Sequence, residues 1–209
     1  MPRRPDHLSA ALKTHLVPML AAEGVSPRGS RQFIRVRGDL LDALGFQVSQ
    51  WDREFYLHQS IQHLSDPYFA PEGYRVGARF HRENDTAEAW GAESLEQAQA
   101  SSASVARFIT GTSLPWFGSV AGLSDFLVCF LADPNSPLDG LELASLLAQL
   151  GHQQRPWWIC NALEESAEQD ERTRETARAM RVAIDEGSVR EFLDDLRREN
   201  LQRLGLPAG

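Results

Sequence analysis

Between Gln32 and Leu64 the sequence QFIRVRGDLLDALGFQVSQWDREFYLHQSIQHL keeps a period of two, and nothing else in the chain restricts the fold as much. In Glu54–Leu64, Phe55, Leu57 and Ile61 share one side with Gln59, and Tyr56, His58, Ser60 and Gln62 share the other. In Leu40–Ser49, Leu44, Phe46 and Val48 oppose Ala43, Gly45, Gln47 and Ser49. Gly38-Asp39 suits a two-residue turn, and Gln50-Trp51-Asp52-Arg53 a four-residue loop. These connections pair Val48 with Phe55, Phe46 with Leu57 and Gln47 with Tyr56, so the apolar sides coincide, as a half-buried sheet requires. The first strand then sets Arg35 across from Asp42, an expected ion pair. Phe46, Val48, Phe55 and Leu57 form the expected core, covered by Leu12, Leu16 and Met19.

Around this sheet the pattern is helix and loop. Asp6 caps an amphipathic helix to Glu23, closed by Gly24 and bent at Pro18. Ser26–Ser30 reads as a turn-rich entry to the sheet. Tyr74–His81 alternates as a fourth strand, with Arg75, Gly77 and Arg79 on one side. Ser94–Ile109 reads as a helix, Leu114-Pro115-Trp116-Phe117 as an extended connector, and Ser124–Leu131 as a buried helix. Asp133-Pro134-Asn135-Ser136-Pro137 is the strongest break. Beyond it come helices over Leu138–Leu150, a buried Arg155–Leu163 stretch, and two charged helices either side of Gly187. The expected fold is α+β: an antiparallel sheet of about four or more strands covered by helices in residues 1–133, with a helical C-terminal extension in 134–209 packed on it.

Composition narrows the function classes. The net charge of −8 argues against a nucleic-acid partner. The longest apolar run, Phe126–Ala132, is too short for a membrane span, and Met1-Pro2-Arg3-Arg4 leads into an amphipathic helix rather than a signal peptide. Cys129 and Cys160 lie in apolar surroundings, as buried thiols of a reducing compartment do, so a cytoplasmic location is expected.

The order of motifs resembles a bacterial family, domain of unknown function 4304. An amphipathic helix ends Pro18-Met19-Leu20 before Gly24, and a strand carries Phe33 and Arg35. Phe46-Gln47-Val48-Ser49 and Phe55-Tyr56-Leu57 with Ile61 follow, then an Arg-bearing strand, Trp90, and Leu114-Pro115 ahead of a closing helix. Val25 stands where that family has an aromatic, and Trp90 is single where a pair is common. The resemblance implies an α+β fold and no particular chemistry.

No complete catalytic motif is present, and no cofactor is expected. Gly118-Ser119-Val120-Ala121-Gly122 lacks the strand and helix of a nucleophile elbow, and phosphate-cradling glycine motifs are missing. No metal site is expected either, because no H-x-H or H-x-x-x-H spacing occurs and His7 and His15 are two helical turns apart. The acidic run Glu164–Glu175 reads as a solvated helix face. The candidate ligand-binding set is the polar strand side: Gln47, Tyr56, His58 and Ser60, with Arg75 and Arg79 extending it. Small residues opposite polar ones leave room there, and two guanidiniums suit a small anionic ligand or an acidic segment of a protein partner. The expected function is a non-catalytic binding or interaction protein, regulatory or immunity-like. The alternative is an enzyme on a small anionic substrate, with His58 as base and Arg79 as anion clamp.

Overall fold

The computed structural model describes residues 6–49, 54–70, 76–80, 89–132 and 140–207. The fold is α+β. Five strands, β1 (Ser26–Arg28), β2 (Gln32–Arg37), β3 (Leu40–Val48), β4 (Phe55–His63) and β5 (Val76–Phe80), form one antiparallel sheet in sequential order. Ser26–Arg28 is thus an edge strand, paired with Gln32–Ile34, where a turn was expected. The expected register holds at both ends of the β3–β4 hairpin: Ser49 N–H donates to Glu54 O at 2.7 Å and Leu64 N–H to Asp39 O at 2.8 Å. The Gly38-Asp39 turn closes β2–β3, with Gly38 at φ +58°, a conformation that favours glycine.

Contacts divide the chain into two compact units: Met1–Arg37, Leu41–Ile61 and Gly77–Ala121; and Gly38–Leu40, Gln62–Val76 and Gly122–Gly209. The expected boundary at Asp133–Pro137 lies outside the described residues.

In the first unit, α1 (His7–Ala22) starts where Asp6 accepts the Ser9 N–H at 3.1 Å, and it packs on α2 (Leu95–Phe108). Leu12 and Leu16 are fully buried, whereas Met19 is half-buried and accepts the Thr110 hydroxyl at 3.5 Å. Phe33, Phe46, Phe55, Trp90, Phe108 and Phe80 form a continuous aromatic chain with centroids 4.8–6.0 Å apart. Phe46, Phe55 and Leu57 are core as expected; Val48, the last residue of β3, is only half-buried. Asp42, 1% exposed, accepts from both Arg35 and Arg37, at 2.9 and 2.7 Å. After α2 the expected extended connector is helical instead: a π turn, Ile109–Ser113, runs into α3 (Leu114–Ser119). Ser113 is itself helical (φ −70°, ψ −48°), so Pro115 lies in a helix that continues without a break from α2 through the π turn.

The second unit is helical apart from the strand ends it includes. Its described helices are α4 (Leu123–Ala132), α5 (Leu141–Gln149), α6 (Gln154–Glu165), α7 (Glu171–Asp185) and α8 (Val189–Arg203). Leu141, Ala144, Cys160, Ala177, Met180 and Leu193 form its core, with Tyr68, Ile184, Val189, Phe192 and Leu196 at the margin. Burial pushes the Cys160 thiol up to about 12. Three expectations of burial fail here. The expected buried helix, α4, turns only Phe126 and Phe130 inward and exposes Val128 and Leu131. Trp158 is 65% exposed, because α6 turns only Pro156 and Cys160 fully inward, and Cys129 is half-buried. The acidic run is split between two helices and internally paired: Glu164 accepts from Arg178 and Arg181 at 2.8 and 2.9 Å, and Asp170 caps α7 through Thr173 N–H at 2.8 Å.

Candidate functional site

The polar side of β4 is more enclosed than its alternation suggests. Tyr56 is half-buried, but His58 is 7% exposed and Ser60 and Gln62 are fully buried. The period of two places these groups on one side; it does not leave that side to water. Ser60 therefore does not line an accessible face, and among the described residues its hydroxyl has no hydrogen-bond partner. Arg75 lies outside the described residues.

Four of the expected residues meet as two pairs. His58 Nε2 lies 3.1 Å from Gln47 Oε1, which bridges β3 and β4 through side chains. An amide oxygen can only accept, so this contact makes Nε2 the protonated nitrogen. On β5, the Arg79 guanidinium stacks over the Tyr56 ring with its carbon 3.9 Å from the centroid. Gly77 makes that pairing possible: a Cβ there would stand 2.0 Å from the Gln59 carbonyl oxygen, so only glycine lets β5 lie so close to β4. Burial, and then the positive charge of Arg79, hold the His58 imidazole below its ordinary pKa.

Arg79 is exposed and stacks on Tyr56; among the described residues it has no ion pair and no hydrogen bond. A stacked guanidinium is held by its face while its N–H donors ring its edge, the arrangement suited to a carboxylate. Clefts of about 520, 580 and 390 Å³ occur elsewhere within the units, and neither His58 nor Arg79 lines any of them.

A second group of polar residues lies in the second unit, and sequence reasoning passed over it. His63 ends β4, Asp66 follows in the next turn, and Glu142 sits in the first turn of α5. All three are at most 1% exposed, and one ligand-type atom from each lies within 4.8 Å of the other two. Asp66 Oδ1 accepts the Tyr68 N–H at 2.8 Å. Ser145 Oγ donates to the Glu142 carbonyl oxygen at 2.9 Å and lies 3.5 Å from His63 Nε2. The search for short His spacings could not find a set that joins a strand end to a distant helix. The available signal was Glu142, a carboxylate on an otherwise apolar stretch Leu141–Leu147, together with His63-Leu64-Ser65-Asp66.

No protein-family model matches the chain, and no curated protein or solved structure matches it.

Proposed function

We propose that the protein is a non-catalytic binding protein of a regulatory or immunity-like kind, and that Arg79 and Tyr56 receive a carboxylate of a protein partner. The observation that carries this reading is the exposed guanidinium of Arg79, stacked on an aromatic ring and without an ion pair among the described residues. A structural arginine on a sheet usually meets an acid, as Arg35 and Arg37 meet Asp42. The chain's net charge of −8 repels a polyanionic surface at long range, so the reading calls for a short motif with one or two acidic residues. The same charge speaks against nucleic acid as the partner. Among the described residues no single helix is long and apolar enough to cross a membrane. A cytoplasmic location belongs to this proposal and is supported by the two free cysteines. So does kinship with domain of unknown function 4304, which rests on the order of motifs alone.

The enzyme reading draws less support. His58 is nearly enclosed, its Nε2 is held by Gln47, and neither it nor Arg79 lines one of the clefts above. A general base needs reach to its substrate before its pKa matters.

The test is an NMR titration of the full chain with short amidated peptides carrying one Asp or Glu pair. Binding should shift the Arg79 side-chain N–H signal and raise the His58 pKa, because a bound carboxylate offsets the charge that depresses it. Arg79→Ala should abolish both responses with the fold intact. Wild-type protein that responds to no such peptide would reject the reading.

A further inference from the structure

We infer that His63, Asp66 and Glu142 form a divalent-metal site that ties the end of β4, the turn after it and the start of α5 together. This inference is independent of the Arg79 reading and concerns other residues.

The geometry is the first support. The three ligand-type atoms lie within 4.8 Å of one another, and three different chain segments supply them. Imidazole and carboxylate donors bind a transition metal at about 2.0–2.2 Å, which sets neighbouring donors roughly 3–4 Å apart. Burial is the second support. Asp66, Glu142 and His63 bring two carboxyl groups and an imidazole together in one interior site of low dielectric, where a dication can draw on all three donors.

The surroundings are those of a metal's outer shell. Ligating imidazoles commonly give their second nitrogen to a hydrogen-bond acceptor, and ligating carboxylates are themselves hydrogen-bonded. The Ser145 hydroxyl spends its proton on the Glu142 carbonyl, so toward His63 Nε2 it is an acceptor, at a long 3.5 Å. Asp66 is oriented by the Tyr68 N–H, and the His63 ring is backed by Phe126 with centroids 5.8 Å apart. Asn200 Nδ2 donates to the Leu64 and Asp66 carbonyls at 2.8 and 3.0 Å, which holds the backbone that presents Asp66.

The donor set selects the ion. One nitrogen and two carboxylates without a thiolate suit Zn²⁺, Mn²⁺ or Fe²⁺ and do not suit Cu⁺. With all three residues at most 1% exposed, the ion's role is structural, and it enters while the chain folds.

The test uses the full chain. Protein purified from medium supplemented with zinc, manganese and iron is assayed for bound metal, and a second sample is unfolded and refolded with a chelator. The expected results are about one equivalent of metal per chain and a melting temperature roughly 5–10 °C lower after metal-free refolding, restored by one of the three ions. Asp66→Asn and Glu142→Gln should each lose the metal. If a variant does not fold, refolding wild-type protein with Co²⁺ supplies the readout, since coordination gives visible d–d bands. No bound metal, identical melting with and without each ion, and no cobalt spectrum would overturn the inference and leave a buried cluster that shares protons.

Discussion

Gly77 stands over Gln59 so closely that a Cβ added to it would lie 2.0 Å from the Gln59 carbonyl oxygen and 2.9 Å from the Ser60 Cα. Both obstacles are backbone, which cannot rotate aside as a side-chain end would. Gly77→Ala should therefore push β5 away from β4 and cost at least about 1–3 kcal/mol, as overpacking does. It should also carry Arg79 off the Tyr56 ring. Urea unfolding and the Arg79 side-chain N–H shift would report the two effects; an unchanged midpoint would show that the strands can separate freely.

Asp42 offers a sharper electrostatic test. One carboxylate, 1% exposed, serves two guanidiniums that are themselves about one-fifth exposed. Asp42→Ala leaves both charges in a partly dry site, and the cost should be about 3 kcal/mol, the lower end for a broken buried pair because water still reaches the arginines. Arg37 also donates to the Val120 carbonyl at 2.9 Å, so the loss should extend to hydrogen-exchange protection around Val120. A fall below about 1 kcal/mol would place the pair among ordinary surface bridges.

Phe46 touches Phe33 and Phe55 in the aromatic chain, with centroids 5.9 and 6.0 Å apart, and is 5% exposed. Phe46→Ala should cost about 3–5 kcal/mol by chemical denaturation. Val48→Ala should cost clearly less, because Val48 is only half-buried. Equal losses at the two positions would contradict that difference.

The His58 imidazole is held below 6.5 in the folded protein, first by burial and then by Arg79. Between the folded value and 6.5 the unfolded chain binds more protons, so His58's contribution to stability falls as the pH drops from about 6.5 and levels off below the folded value. Arg79→Ala should raise the His58 pKa yet leave it depressed, since burial is the larger cause. NMR titration of the ring protons measures both. A variant pKa equal to wild type would mean that the two groups do not sense each other.

The hairpin register was legible in the sequence because a period of two over two strands, joined by a loop of fixed length, leaves one pairing that buries Phe46 with Leu57. The Arg35–Asp42 pair followed from the two-residue Gly38-Asp39 turn, which sets β2 against β3. The same period says which residues share a side and says nothing of what covers it, which is why Ser60 read as accessible and is buried. Leu114-Pro115 read as extended because proline ends helices; here it follows a π turn within a helix that continues from α2. Gln47, Tyr56, His58 and Arg79 were legible as neighbours, though the stacking of Arg79 on Tyr56 depends on Gly77 and on strand spacing. His63, Asp66 and Glu142 were not, since their meeting is decided by how α5 packs rather than by any local spacing.

Asn200 bears on how the protein is made. The two carbonyls it holds, on Leu64 and Asp66, precede it by 136 and 134 residues. During synthesis from the N-terminus, the turn after β4 is finished long before the amide that secures it exists. Until α8 emerges, those two carbonyls lack this donor. The time the ribosome takes from residue 66 to residue 200 thus sets how long the turn waits for its anchor.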